Sequence, residues 1–286
     1  MIEQKNKFIS LCFQFLGNEN YVLLKHIHDT LAEIEENSDI DILLFDKKKT
    51  LPLILAFVKN ASLVQKYEVQ QQSNMTQFFV YFNDNSFLQI DCLYQLIRKN
   101  VIYLSKDYIF ENKRFLNDNT ATYSHKCLLE HLVLFNFLNY AGVPQKYIDF
   151  FNALNFSEQQ SLLAFFNKKY QTSIKSFEVF VEYDKIIYSQ LIDIVAKIDA
   201  NNILFKIKHT LQYLKDTLNN LINNRGKIIS FSGVDGAGKS TLLAETSDII
   251  SEKYRRKVVI LRHRPSILPI LSSFRYGKKR GRTKSC

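Results

Sequence analysis

The chain has 286 residues, 46% of them hydrophobic, and a net charge of +10; that is long enough for two or three domains with real cores and too apolar for a disordered chain. Its four cysteines, Cys12, Cys92, Cys127 and Cys286, are scattered with no C-x-x-C pair, which excludes a zinc-finger spacing and fits a reducing cytoplasm. Residues 1–6 carry no signal-peptide pattern, and the apolar runs at 51–58 and 128–138 are too short, the second also broken by Glu130 and His131, so no transmembrane segment is expected.

In chain order, residues 8–16 carry a helical pattern, 21–24 a short strand, and 29–36 a helix or loop. Residues 38–45 alternate polar and apolar at first, the signature of a strand. Residues 50–59 read as a helix with Pro52 in the first turn, where its missing N–H is harmless. Gln70-Gln71-Gln72-Ser73-Asn74 reads as a polar loop. Residues 76–82 and 87–93 read as two strands joined by the turn Asn83-Asp84-Asn85-Ser86.

From Ser124 the chain turns helical. Ser124 caps a helix to Asn139, which Gly142 and Pro144 end. Ser157-Glu158-Gln159-Gln160 is a capping-box pattern for a second helix to about Tyr170, and a third covers 176–198. A fourth, 202–223, carries Leu204, Ile207, Leu211, Leu214, Leu218 and Leu221 in strict 3-4-3-4-3 spacing. That seam serves either a dimerising coiled coil or burial against the preceding helices; partner helices are at hand, so burial is the expectation. Asn223-Asn224-Arg225-Gly226 is a linker.

Three carboxylates stand out in the first region. Asp39 and Asp41 are two apart on a strand and so share a face, and Asp91 lies mid-strand in a neighbouring segment. Three carboxylates on adjacent strands can hold the Mg²⁺ ions of a nucleotidyl-transfer site, while a solvated strand edge is the plainer alternative. The pattern resembles the nucleotidyltransferase superfamily, and the resemblance implies a mixed α/β domain with metal on Asp39, Asp41 and Asp91. That superfamily places a Gly-Ser or Gly-Gly turn ahead of the first Asp to grip a triphosphate. Here Lys25-His26-Ile27-His28 stands there, with no glycine between Gly17 and Asp39. His26 and His28 read as surface histidines rather than a metal pair.

Near the C-terminus, Gly233-Val234-Asp235-Gly236-Ala237-Gly238-Lys239-Ser240-Thr241 fits G-x-x-x-x-G-K-[ST], between an expected strand at 227–231 and an expected helix. Glycines let the backbone wrap a phosphate, the helix N-terminus adds a positive dipole end, Lys239 reaches the outer phosphates and Ser240 holds Mg²⁺. The wording resembles the loop of thymidylate kinases and related nucleoside monophosphate kinases, with Ser232 in place of their usual acidic residue. A second strand is expected at 258–261, running into Arg262-His263-Arg264-Pro265. That run resembles the Arg-Glu-Pro-Gly turn of the family and implies that Arg262 and Arg264 hold an acceptor phosphate.

From Arg225 onward there are fifteen Lys/Arg against four Asp/Glu, so the basic excess belongs to this segment. Such a field suits two phosphorylated substrates. No nucleic-acid-binding motif accompanies it, so no specific nucleic acid is expected.

The expected fold class is α/β: a nucleotidyltransferase-like domain at 1–120, a helical domain at 121–224, and the beginning of a parallel P-loop domain at 225–286. The order resembles bacterial proteins that fuse a nucleotidyltransferase-like domain, through helices, to a thymidylate kinase-like one. The leading expectation is an ATP- and Mg²⁺-binding phosphotransferase acting on a nucleoside monophosphate or similar acceptor. The alternatives are a nucleotidyltransferase acting through Asp39, Asp41 and Asp91, and a non-catalytic nucleotide-binding or assembly protein. The stretch from Gly226 falls short of the roughly 150–200 residues such a kinase domain needs. It is therefore expected to be truncated, or completed by a separate polypeptide or a dimer, with a disordered tail at 278–286.

Overall fold

Alternation along the first strands sends one apolar row to each face of a sheet, and helices cover both rows. The computed structural model describes residues 2–17, 21–31, 39–118, 120–198, 201–223, 229–234, 236–253 and 258–260. The chain divides into two units, Met1–Ile228 and Ile229–Cys286.

The first unit opens with helix α1 (Ile2–Leu16) and strands β1 (Tyr21–Leu23) and β2 (Ile40–Leu44). Helix α2 (Lys47–Asn60) follows, then β3 (Val64–Gln71), β4 (Met75–Phe82) and β5 (Phe87–Leu93). A small hairpin, β6 (Leu96–Arg98) and β7 (Val101–Leu104), leads to α3 (Lys106–Glu111), β8 (Lys113–Phe115) and β9 (Ala121–Tyr123). The main sheet has seven strands in the order β3-β4-β5-β2-β1-β9-β8. Only β2/β5 and β1/β9 pair in parallel; the other neighbours are antiparallel. The fold class is thus α/β with a mixed sheet.

One face of the sheet carries Ile40, Ile42, Leu44, Phe78, Val80, Phe82, Leu88, Ile90 and Cys92, packed with Phe8, Phe13 and Leu16 of α1 and Ile54 and Val58 of α2. The opposite face sends Val22, Leu24 and Leu43 into a second core. Its helices are α4 (His125–Leu138), α5 (Gln145–Ala153), α6 (Phe156–Tyr170) and α7 (Lys185–Ala196). The sheet and the helical stretch therefore share a core.

Several element boundaries move from their sequence-based positions. Asp46 caps α2 by accepting from the backbone N–H of Lys48 and Lys49, so the helix starts earlier and Pro52 falls beyond the first turn. Gln70 and Gln71, expected in a loop, close β3, an edge strand whose polar residues face solvent and hide the strand signal. Asn155, not Ser157, caps α6: its side chain accepts from Glu158 N–H and donates back to the Glu158 carboxylate. The expected helix at 176–198 is a 3₁₀ turn, Phe177–Phe180, followed by α7, which starts afresh on the Asp184 cap.

Glu130 of α4 is fully buried and accounts for three elements at once. Its carboxylate accepts from the hydroxyls of Tyr108 on α3 and Tyr170 on α6, each at 2.7 Å, and from the Lys169 ammonium at 2.5 Å. Burial, then the Glu130 charge, pushes both phenols well above their ordinary range.

Helix α8 (Ile203–Asn223) corrects a larger expectation. Its seam is not buried against the preceding helices: Leu204, Ile207, Leu211, Leu214 and Leu218 are all exposed. The helix is held by its polar side instead. Asp216 accepts from the backbone N–H and hydroxyl of Ser73, and His209 sits between Asn74 and Asn100. Just before it, buried Asn201 donates to the carbonyls of Ile102 and Val195 and accepts from Ile102 N–H. Its amide thus replaces a missing strand partner for β7.

In the second unit the helix expected after the loop is present as α9 (Lys239–Asp248), continued by a wider π-helical turn, Ile249–Lys253. Neither expected flanking strand forms a ladder among the described residues: 229–234 and 258–260 are irregular. A strand exists only with a hydrogen-bonded neighbour, and these residues pair with none among the described ones. The linker at 224–226 and the tail at 278–286 lie outside the described residues.

Glu130→Ala should destabilise the first unit by about 1–3 kcal/mol, because it leaves the hydroxyls of Tyr108 and Tyr170 without their acceptor, while the exposed Lys169 ammonium can turn to water. Glu130→Gln, which keeps an acceptor, should lose less; urea unfolding of both variants against the parent checks the order.

Candidate functional site

The parallel pairing of β2 with β5 sets Asp41 directly beside Asp91, and the antiparallel pairing of β5 with β4 sets Gln77 on the other side of Asp91. One row across the sheet therefore reads Gln77, Asp91, Asp41. Asp41 shares its face with Leu43, and so looks toward the helical core rather than toward α1 and α2. Asp91 accepts from Gln77 Nε2 at 3.1 Å and Gln89 Nε2 at 2.9 Å. Burial raises its carboxyl above the usual range, the two glutamine donors oppose the rise, and the Asp41 charge adds to it. Asp39 lies one residue before β2 and is half-buried.

The position opposite Asp41 is taken by a side chain that sequence reading treated as a departure from a pattern. Lys25 Nζ lies 2.6 Å from Asp41 Oδ2. Lys25 has φ +56°, a left-handed conformation that L residues other than Asn and Asp seldom adopt. Its backbone N–H donates to the buried Tyr123 hydroxyl at 2.6 Å, which holds the turn in place. The chain thus keeps a glycine-like bend after β1 and uses the side chain a glycine would lack to set a cation on Asp41. The Lys25 ammonium also lies 5.1 Å from the centre of the Phe135 ring, and the Arg98 guanidinium 5.7 Å from the same ring. One cation, Lys25, thus meets the Asp41–Asp91 pair, while the exposed Arg98 is turned to the Asn139 side-chain oxygen.

Behind Phe135 lies His131, with the two rings stacked 5.9 Å apart. Tyr103 and Tyr123 flank it. Both His131 ring nitrogens are buried with no hydrogen-bond partner. Burial, then the Lys25 charge, holds the imidazole neutral, with its pKa far below the usual range.

Among the described residues no group of three or more His, Cys, Asp or Glu side chains is placed to hold a metal ion. Asp41 and Asp91 are brought together; a three-carboxylate cluster with Asp39 is not formed. His26, expected at the surface, is buried, and its Nε2 lies 3.1 Å from the Thr30 carbonyl oxygen, to which it donates as the Nε2–H tautomer. An open groove of about 640 Å³, lined by Phe45, Asp46, Lys49, Asp107, Phe110, Glu111 and Lys113, includes none of the sequence-predicted site residues.

In the second unit two glycines of the loop are left-handed. Gly236 has φ +86° and Gly238 φ +73°, both left-handed, so any other residue there is strained. An added Cβ at either meets no atom within 4 Å, so it is the backbone, not crowding, that requires glycine. Gly238 is the N-cap of α9, which places Lys239, Ser240 and Thr241 in its first turn. Lys239 Nζ donates to the carbonyls of Gly233 at 2.5 Å and Val234 at 2.6 Å, folding the ammonium back over the loop. An added Cβ at Gly233 would lie 3.7 Å from the Ala237 Cβ, an ordinary contact. Asp235, Arg262 and Arg264 lie outside the described residues.

No protein-family model matches the chain, and no curated protein matches it. Among solved structures the chain is similar to the crystal structure of JHP933 from Helicobacter pylori, with 12% identity, 76% of this chain and 96% of that chain covered, and a TM-score of 0.32. It is also similar to the polymerase core of TRAMP, an RNA surveillance complex, with 14% identity, 68% of this chain and 57% of that chain covered, and a TM-score of 0.23. Likenesses of this size do not bear on what the chain does. No helix among the described residues is long and apolar enough to cross a membrane.

Two predictions follow from the first unit. Lys25→Ala and Lys25→Gly both remove the cation from Asp41, but glycine also relieves the left-handed bend, by about 1 kcal/mol. Stability by urea unfolding should therefore rank parent, then Lys25→Gly, then Lys25→Ala, and loss of the cation should raise the Asp91 pKa further in a carbon-13 NMR titration.

Folded His131 stays neutral below its ordinary pKa, whereas the unfolded chain binds a proton there. Its contribution to stability is therefore present above about pH 6.5 and is lost as the pH falls, at up to about 1.4 kcal/mol per pH unit. His131→Leu should flatten the fall in unfolding midpoint between neutral and acid pH without lowering the neutral-pH midpoint by a comparable amount.

Proposed function

We propose that the chain is a nucleotide-binding protein that takes the phosphates of ATP, with Mg²⁺, on the loop Gly233–Thr241, and that it is a phosphotransferase of the thymidylate kinase-like kind acting on a nucleoside monophosphate or similar acceptor. One observation carries this reading: two left-handed glycines lead directly into the N-terminus of α9, with Lys239 and Ser240 in its first turn. The residues fit the group. The backbone N–H groups of Gly236 and Gly238 suit phosphate oxygens, the Ala237 N–H would exchange the Val234 carbonyl for one, and the helix N-terminus favours their charge. Lys239 would exchange its two loop carbonyls for phosphate oxygens, a stronger, charge-assisted partnership. Ser240 and Thr241 offer hydroxyls for Mg²⁺ and a phosphate. Bound ATP supplies the transferable phosphoryl group. The protein's part is positioning and charge neutralisation, with Arg262 and Arg264 proposed to hold the acceptor phosphate.

A second reading, nucleotidyl transfer through Asp39, Asp41 and Asp91, is weakened by one contact. The Lys25 ammonium takes the place beside Asp41 that a divalent ion needs. As folded, the carboxylate pair is neutralised from within the chain, and we read this unit as nucleotidyltransferase-like in form without metal-dependent transfer.

Lys239→Ala should weaken ATP binding by about 1.5–3 kcal/mol while leaving the far-ultraviolet circular dichroism unchanged, since the side chain packs against no core. Titration calorimetry checks this, and equal affinity in the two proteins removes the loop from the account. Incubation with α- and γ-labelled ATP then separates the readings: a kinase moves only the γ label, a nucleotidyltransferase the α label, and a binding protein neither.

A further inference from the structure

An amphipathic helix on a protein surface ordinarily turns its apolar stripe inward. Helix α8 does the reverse, and named contacts fix it so. Taking Leu204, Leu211 and Leu218 as the first seam position of each heptad, Ile207 and Leu214 are the second, and His209 and Asp216 fall on the far side, opposite the seam. These far-side residues are the ones that grip the body of the unit. The Nε2 of His209 accepts from Asn74 Nδ2 at 2.6 Å, its Nδ1–H donates to Asn100 Oδ1 at 3.0 Å, and Asp216 accepts twice from Ser73 at 2.9 Å. Asn100 also donates to the Thr210 hydroxyl at 3.0 Å. The seam is thereby aimed outward, with exposure from 50% at Leu214 to 75% at Leu204. Contiguous apolar patches of more than a few hundred Å² are uncommon on monomers.

We infer that the outward seam of α8 is a self-association surface whose partner is the same seam on a second copy of this chain, the two helices packing in parallel as a short coiled coil. The spacing selects a helix as the occupant. A strict two-position stripe of period 3.5 is the narrow surface that another helix of the same period fills; a lipid surface wants a broader apolar arc. Among the described helices the five-position 3-4-3-4 seam occurs in α8, and the surface of the same period that matches it is the α8 of another copy.

The flanking charges select the direction. Lys208 and Lys215 line one side of the seam, Thr210 and Thr217 the other. Parallel pairing sets lysine against threonine, whereas antiparallel pairing sets Lys208 of one copy against Lys215 of the other, like against like. At 21 residues α8 spans about 31 Å and three heptads, a length that is marginal for a free peptide. Here the hydrogen bonds to Ser73, Asn74 and Asn100 hold the helix before the partner arrives, so pairing does not bear the cost of helix formation. A two-fold pair of this kind buries the seam on both copies and closes at two.

The test uses the full chain. Sedimentation equilibrium over a hundredfold concentration range should show the parent rising from monomer mass toward twice that mass. Leu211→Glu/Leu214→Glu should remain at monomer mass throughout with unchanged circular dichroism; both side chains are exposed, so folding is preserved. Leu211→Cys, in a Cys286→Ser background, should form a self-crosslinked dimer under mild oxidation, because equivalent first seam positions face each other only in a parallel, in-register pair. Cys12, Cys92 and Cys127 are buried and do not compete. A parent that stays monomeric overturns the inference. So does association that survives the double glutamate variant, or an associated Leu211→Cys protein that fails to crosslink. A monomeric parent that binds anionic vesicles, and loses that binding in the double variant, would assign the seam to a lipid surface instead.

Discussion

The first unit turns on one constraint, the parallel pairing of β2 with β5. In that register Asp41 must stand beside Asp91, on the face that looks into a helical core. Two carboxylates so placed repel each other in a partly dry setting, and the cost has to be met by protonation, by hydrogen bonds or by a cation. All three devices are present. Gln77 and Gln89 donate to Asp91, its pKa is raised, and Lys25 bridges to Asp41. The left-handed bend at Lys25, its tie to Tyr123 and the placement of Phe135 under the ammonium serve that neutralisation.

That solution separates the chemistry of the two units. A carboxylate pair satisfied from within the chain has little call for a metal ion. The loop of the second unit is built in a different sense: its two left-handed glycines have open space beside them, it leads into the N-terminus of α9, and Lys239 rests on the carbonyls of Gly233 and Val234. The proposed nucleotide chemistry therefore rests on Gly233–Thr241.

Polar contacts decide orientation in both the helical core and its surface. Glu130 fixes α3, α4 and α6 through two tyrosine hydroxyls and a lysine, so these elements have one arrangement in which a buried charge is satisfied. Asn201, His209 and Asp216 do the same for α8. Hydrophobicity alone would turn the leucine seam of α8 inward; the hydrogen bonds at its polar side reverse it.

The sequence by itself determined what depends on near neighbours. Polar–apolar alternation located β2, strand-forming runs on either side of the turn Asn83–Ser86 located β4 and β5, Ser124 located the start of α4, and the spacing of Gly236, Gly238 and Lys239 located the loop and α9, because dihedral preference and capping act within a few residues. The pairing of Asp41 with Asp91 was half legible: parity gave each residue's face, but strand order and register gave their adjacency. Only the tertiary structure decided the rest. Lys25 read as a missing glycine, since its value lies in a carboxylate sixteen residues away. The edge strand β3 hid behind polar residues, because an edge needs no second apolar row. Among the described residues, the strands expected beside the loop formed no ladder, since a strand is defined by a partner and not by its own residues. The direction in which α8 faces was set by Ser73, Asn74 and Asn100, more than a hundred residues distant in sequence, and no pattern within the helix encodes which of its two sides will find hydrogen-bonding partners.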